Sequence, residues 1–317
     1  MLPNRGIIIH PHELDERWLG RLASMGLNVL GLHPAGGELS HNHIRQMIQS
    51  LPDLRPLLEK AQAMGMTIEY EMHALSHLLP REMFQDHPDW FRMNENGERT
   101  PDVNLCASSE EGLAFLSRSA AELAKLLPSS NHLYYFWLDD VANFRCHCQH
   151  CRELSASDQQ LQVMNAIQRG IRTVDPLACV PYLAYQATLV PPGRVQPDEG
   201  VFLEYAPFRR RVDRAINDPA CPENASELQG LRDLISFFGL KNAKVLDYWT
   251  DNSLFSGWKY PPKAFTLDAD VMRKDVAFYR ELGFESITAF GCYLGRDYID
   301  LHGEPDLRAY GEILCSD

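Results

Sequence analysis

The chain has 317 residues, 45% of them hydrophobic and 23% charged, with a formal net charge of −13. That length and apolar content suffice for one large core or two modest ones and argue against a largely disordered chain. The acidic balance, with no Lys/Arg-rich helix or tail, argues against a nucleic-acid or anionic-membrane partner.

The chain opens MLPNRGIIIHP, whose apolar run from Gly6 to Ile9 is too short for a signal-peptide core. No run approaches the length of a membrane span. A cytoplasmic location is therefore expected, and the eight cysteines are read as thiols or metal ligands rather than disulfides. Eight β-rich runs follow in order: RGIIIHP from Arg5, NVLGLHP from Asn28, MTIEYEMH from Met66, HLYYFWLDD from His132, CVPYLAYQA from Cys179, VFLEYAP from Val201, AKVLDYWTD from Ala243 and ESITAFGCY from Glu285. Between most of them, apolar residues recur at three- and four-residue spacing. Helices are expected over 13–25, 54–64, 110–127, 158–174, 226–238 and 268–282. Gly26, Gly65, Gly239 and Gly283 stand where a helix should stop. The link from Ala187 to Gly200 holds Pro191, Pro192, Gly193 and Pro197 with no helical period, so one helix is expected to be missing there.

Eight βα units in this length predict an α/β fold, a (β/α)8 TIM barrel over 1–317 as one domain, with long loops after strands 3 and 4. An open doubly wound sheet is disfavoured because the first turn, HPHELDERW, has no glycine-rich phosphate loop. In a barrel the active site lies at the C-terminal ends of the strands. Those ends offer His10 and His12, then His33, then Glu69, Glu71 and His73, then Asp139 and Asp140, Glu204, and Asp247 and Asp251. In strand 3 the polar residues alternate with Ile68, Tyr70 and Met72, so the polar set should face the lumen.

Carboxylates on several strand ends suit glycoside hydrolysis. One carboxylic acid protonates the leaving oxygen, and a base, nucleophile or substrate group serves the other side. Asp140 is the first candidate for the acid, with Glu204 and Asp247 for the second group. Any one of them is as readily a salt-bridge partner; it is the set that suggests a pocket. Trp90, Tyr248, Trp249 and Tyr293 are candidate platforms for a sugar face, although core packing would explain at least half of such rings. His10, His33, Glu71 and His73 are candidate substrate contacts. Arg209, in the run Arg209–Arg211, is a candidate partner for a substrate carboxylate, which would favour a uronic acid.

The LDDV at Leu138–Val141 resembles the strand-4 Gly-Asp-Glu-Val signature of β-hexosaminidases (glycoside hydrolase family 20). EMHALSH at Glu71–His77 is similar to their strand-3 loop. That resemblance implies that Asp139 orients a substrate acetamido group and that Asp140 is the acid, one methylene shorter than the family's Glu. A resemblance over most of the chain is to the barrel family called domain of unknown function 4838. It is carried by the Asp-rich strand 4 with Cys146, Cys148 and Cys151 after it, by DPACPEN at Asp218–Asn224, and by LDYW at Leu246–Trp249. It implies a glycosidase-like barrel allied to α-glucuronidases and hexosaminidases.

Cys146, Cys148 and Cys151 are three soft ligands within six residues, and tetrahedral zinc needs a fourth. His147 and His150 stand in the same loop; Cys106, after strand 3, is the better-spaced fourth ligand. A structural zinc or a packed loop of free thiols are the two readings, and no cofactor is expected in catalysis itself. The His10–His12 pair suggests a metal-dependent amidohydrolase, but strands 5, 6 and 8 lack the His and Asp that reading needs. The expected partner is a carbohydrate substrate, with no nucleic acid and no membrane; a homo-oligomer stays open. The competing function is a sugar-binding barrel that has no activity or has lost it.

Overall fold

Eight parallel strands form one sheet in the computed structural model, which describes residues 1–316. They are β1 (Asn4–Ile9), β2 (Val29–Leu32), β3 (Thr67–His73), β4 (Tyr135–Trp137), β5 (Val180–Ala184), β6 (Val201–Tyr205), β7 (Lys244–Asp247) and β8 (Ser286–Phe290). Neighbours run β4-β3-β2-β1-β8-β7-β6-β5, so β1 pairs with β8, with Ile7 opposite Ala289. The seam between β4 and β5 is closed at its base by the Leu133–Cys179 bridge. Tyr134 N–H donates to the Cys179 carbonyl at 2.9 Å, and Cys179 N–H to the His132 carbonyl at 2.8 Å. Higher up, Gln160 Nε2 satisfies the Leu183 carbonyl at 2.7 Å, so a side chain stands in where the strand ladder parts. The fold is the predicted (β/α)8 TIM barrel.

Two apolar layers follow from the two-residue period of the strands. Ile7, Ile9, Leu30, Ile68, Met72 and Phe136 face the surrounding helices and form the larger core. Ile8, Tyr135, Trp137, Leu183, Phe202, Leu246 and Phe290 fill the lumen. Strands buried on both faces read as continuous apolar runs, which is why only strand 3, with its alternating Glu and His, shows its phase in the sequence. Gly31 is the lumen residue of β2: a Cβ there would lie 2.5 Å from Ile8 Cγ1 and 2.8 Å from Glu71 Oε1. Its missing side chain makes room for a buried charge.

Most predicted helices form, at Glu16–Ser24, Glu110–Leu126, Ala156–Ile171 and Ala269–Glu281. The four predicted stop glycines all have positive φ, from 65 to 96°, as a C-terminal glycine cap requires. Two expectations are corrected. The helix expected over 54–64 runs Ser40–Ala63 and carries Pro52 and Pro56 inside it; each proline removes one helical N–H without ending the helix. The helix expected over 226–238 is two helices, Pro222–Leu228 and Leu231–Phe238. They break at Gly230, where a Cβ would sit 1.9 Å from the Leu189 carbonyl oxygen. Between β5 and β6 the structure has only the single 3-10 turn Gln186–Thr188, as the prolines predict. Among the described residues no helix is long and apolar enough to cross a membrane.

Candidate active site

The strand ends surround a cavity of about 600 Å³, within the range of small-ligand sites. His10, His33, His73, Asp140, Tyr248 and Tyr293 line it, so six predicted residues meet there. Asp140 follows β4 and is half-buried. Its Oδ1 accepts the Tyr185 hydroxyl at 2.9 Å, and Tyr185 also lines the cavity. Asp251 is the second carboxylate on this wall. It caps the short helix Asn252–Phe255, with Oδ1 accepting Ser253 N–H at 3.1 Å, Leu254 N–H at 3.2 Å and the Ser253 hydroxyl at 2.5 Å. Burial pushes its pKa up to about 6, against the pull of those donors. Glu13, beside this wall, is pushed up to about 7 by burial; its two oxygens accept the N–H groups of His10 and Gly295, each at 3.1 Å. Leu246, Phe208 and Phe290 supply apolar wall, and the exposed ring of Trp258 stands at the entrance.

Beneath the cavity the lumen holds a sealed charge cluster. Lys244 Nζ lies 2.9 Å from Glu69, 2.7 Å from Glu71 and 3.8 Å from Glu204. Burial opposes its charge, but the three carboxylates outweigh that and push its pKa up. Glu204 is fully buried; its Oε2 accepts Trp137 Nε1–H at 2.7 Å. Burial lifts it to about 7, with Lys244 pulling the other way. The sequence places Glu204 and Glu71 at the mouth, and the structure places both in the floor. The reason is strand stagger: Glu204, near the end of β6, sits in register with Lys244, the first residue of β7.

Other predicted residues lie outside the lumen. Asp247 faces the helices, where Arg210 Nη1 donates to both its oxygens at 3.1 and 2.8 Å and Tyr279 donates at 2.8 Å. Arg210 also bonds Asp275 at 2.6 Å, and Trp249 Nε1–H donates to the same Asp275 oxygen at 2.8 Å. Asp247 and Trp249 are therefore parts of a buried ion network, not of the mouth. Trp90 is 6% exposed and stacks on His87 at 3.8 Å, within the core. Arg209 is exposed and donates to Gln186 at 3.2 Å without lining the cavity; the buried arginine of the triple run is Arg210.

Asp139 is a strut between the two long loops. Its carboxylate pairs with Arg81 and accepts the N–H groups of Ser76 at 3.1 Å and Asn104 at 2.6 Å. Asn104 Oδ1 accepts the Asp139 N–H at 2.9 Å in return. Those donors occupy the carboxylate implied to orient an acetamido group. Two residues beyond Asn104, Cys106 joins Cys146, Cys148 and Cys151 in one buried cluster. Its Sγ lies 3.6, 3.7 and 3.9 Å from theirs. His147 and His150 are not in it.

The sequence of residues 40–299 matches the family model described as a domain of unknown function (DUF4838). The chain belongs to the DUF4838 family. No curated protein matches it. This DUF4838 chain is similar in fold to a family 42 β-galactosidase from G. stearothermophilus, with 12% identity and a TM-score of 0.57 over 99% of this chain and 55% of that one. It is similar to endo-glycoceramidase II from Rhodococcus sp., with 13% identity and a TM-score of 0.56 over 92% of this chain and 73% of that one. It is also similar to PbGH5A, a glycoside hydrolase family 5 enzyme from Prevotella bryantii B14, with 12% identity and a TM-score of 0.52 over 95% and 86%. The chain spans about half the length of the first of these. Identities this low show the fold of glycoside hydrolase barrels.

Asp251 is among the strand-end residues the sequence offers, Asp247 is the one it favours on strand 7, and Tyr185 is not among its candidates. For Asp251 the signal was masked, because Asp-x-Ser before a short helix reads as a cap. Tyr185 was legible in principle, two residues beyond Leu183 on the lumen face of β5.

Proposed function

We propose that this protein hydrolyses a glycosidic bond at the barrel mouth, in a hexosaminide or a uronide. The observation that carries the reading is that Asp140 and Asp251 share one cavity and that burial holds Asp251 up to about 6. A carboxyl in that range retains a proton to donate near neutral pH. Asp251 protonates the leaving oxygen as the C–O bond breaks. Asp140, oriented through Oδ1 by Tyr185, serves the other side, as base to a water or as nucleophile at the anomeric carbon. The product anomer tells which. The likeness to a β-galactosidase and an endo-glycoceramidase supports a glycoside as substrate.

A panel of aryl α- and β-glycosides, N-acetylhexosaminides and uronides tests the reading. The wild type should release the aryl group from at least one, and Asp140→Asn should cost about 10²–10⁴-fold in kcat with an unchanged melting temperature. No turnover across the panel, or full turnover by Asp140→Asn, defeats it. One observation favours a second reading, a sugar-binding barrel without chemistry. Three donors already converge on Asp251 Oδ1 in its capping role, leaving Oδ2 alone for a substrate. Saturable sugar binding without turnover is the signature of that case.

We propose also that the four-cysteine cluster holds a structural zinc ion and that bond cleavage needs no cofactor. A zinc–sulfur bond of about 2.3 Å sets a tetrahedron edge of roughly 3.8 Å, which the sulfur spacings around Cys106 match. Met93 N–H donates to Cys146 Sγ at 3.3 Å; such a donor stabilises a thiolate. The site would tie the loop after β3 to the loop after β4 and take no part in the reaction. Elemental analysis should find one zinc per chain, lost in Cys106→Ser and kept in Cys179→Ser. Metal-free protein from a chelator-free purification rejects the site.

A further inference from the structure

The cavity wall repeats one hydrogen-bond arrangement on three successive strands. His10 Nδ1 bonds the His33 carbonyl at 2.7 Å, His33 Nδ1 bonds the Glu71 carbonyl at 2.8 Å, and His73 Nδ1 bonds the Leu138 carbonyl at 2.6 Å. A carbonyl only accepts, so in each ring the Nδ1 carries a proton, and Nε2 is the nitrogen with a lone pair to offer in the neutral form. Each histidine ends one strand and is fixed by the end of the next. The tautomer is thus set by backbone, independently of any ligand.

None of the three Nε2 atoms has a hydrogen-bond partner among the described residues, and none is sealed from the cavity. The rings stand in a row, with centroids 6.0 Å apart from His10 to His33 and 6.1 Å from His33 to His73. Burial lowers the pKa of His10 to about 4 and that of His33 as well. Both rings are therefore neutral acceptors near neutral pH. The row as a whole is not one metal site: among the described residues the three do not form a group with ligand atoms gathered within 4.8 Å of one another, and His10 is so grouped only with Glu13 and Cys292. Separated acceptors call for separated donors.

The rest of the wall points the same way. No lysine or arginine lines the cavity among the described residues, and Asp140 and Asp251 both do. An anionic ligand would meet two carboxyl groups, the acceptor nitrogens of His10 and His33 and no lysine or arginine, an arrangement with nothing to answer a uronate. A single ammonium group cannot serve three separated nitrogens. A pyranose ring with free hydroxyls can, while its apolar face meets Tyr248 and Phe290.

We propose that the cavity selects a neutral polyhydroxylated sugar, an N-acetylhexosaminide included, whose hydroxyl groups donate to Nε2 of His10, His33 and His73, and that it rejects uronides. This rests on the reading of the cavity as a saccharide site but not on turnover. The test is calorimetric titration of Asp140→Asn with methyl glycosides of glucose, galactose, mannose, N-acetylglucosamine and glucuronic acid, paired with turnover of the matching aryl glycosides by the wild type. At least one neutral sugar should bind about tenfold or more tighter than the uronide. His73→Phe and His10→Phe, which keep a ring but lose the acceptor, should each weaken that binding about tenfold with native circular dichroism. If one variant misfolds, the other carries the test. Uronide binding equal to or tighter than that of every neutral sugar overturns the proposal, as does unchanged affinity in the folded Phe variants. Histidine-dependent binding of a neutral sugar without turnover leaves this proposal standing and removes the hydrolase. Turnover of uronides alone does the reverse, and no binding of any sugar removes both.

Discussion

The floor and the mouth of this barrel are both rich in acidic side chains from strand ends, yet they are built on opposite terms. In the floor the charges answer one another: Lys244 serves Glu69, Glu71 and Glu204, and Trp137 and Tyr135 donate to two of those carboxylates. In the mouth, Asp140, Asp251 and three imidazole nitrogens present acceptors with too few protein donors to match them. A buried group with its partners inside the fold stabilises that fold; one that faces a cavity with capacity left over is placed for something that arrives from outside. Substitutions in the two regions should therefore separate, the floor changing stability and the mouth changing chemistry.

The largest effect is expected in the floor. Lys244→Ala removes the cation that the three buried glutamates face, and should cost about 3–5 kcal/mol of stability at pH 7. The cost should shrink at lower pH. Without the lysine, the folded-state pKa values of Glu71 and Glu204, already raised by burial, rise further above their unfolded values. The stability they contribute is then present in acid and lost as pH rises through the folded values. Urea unfolding of wild type and variant at pH 5 and pH 7 measures this. An equal loss at both pH values would break the electrostatic account and leave only a packing defect.

Next comes Asp251→Asn. Asparagine keeps the oxygen that caps Asn252–Phe255 but has no proton to give. Its kcat/KM should fall about 10²–10⁴-fold with little change in melting temperature. In the wild type, kcat/KM should decline as pH rises through about 6, where Asp251 loses its proton. A wild-type profile that is flat from about pH 5 to 8 removes Asp251 as the acid and blurs the line between the two regions.

The barrel was legible because its signals are local: eight β-rich runs, helical spacing between them, and glycines at helix ends that take positive φ. The site was legible in part. His10, His33, His73 and Asp140 could be placed because each closes a strand, and proximity to the mouth was all the argument required. Glu204 could not be placed, because its partner Lys244 lies at the start of the next strand and only barrel stagger brings them level. Asp247 could not be placed either. In β7 both Val245 and Leu246 are apolar and buried on opposite faces, so no alternation reveals which way the aspartate points. The four cysteines were within reach, since Cys106 and the loop after β4 belong to adjacent strand ends, but their spacing is a property of the folded loops.

The smallest expected effect is the sharpest test of the comparison. Glu204→Gln is nearly isosteric, retains an oxygen for Trp137 Nε1–H, and replaces a carboxyl that burial already lifts to about 7. If Glu204 belongs to the floor, kcat should stay within about twofold of wild type, against the 10²–10⁴-fold cost of losing an acid or base. Its affinity for sugar should also hold, because Trp137 and not Glu204 faces the cavity. Steady-state kinetics and calorimetry on the same preparation give both numbers. A hundredfold loss of kcat with intact binding would mean that Trp137 moves aside during turnover and lets the floor carboxylate reach the reacting centre, and the separation between floor and mouth would then be a feature of the resting barrel only.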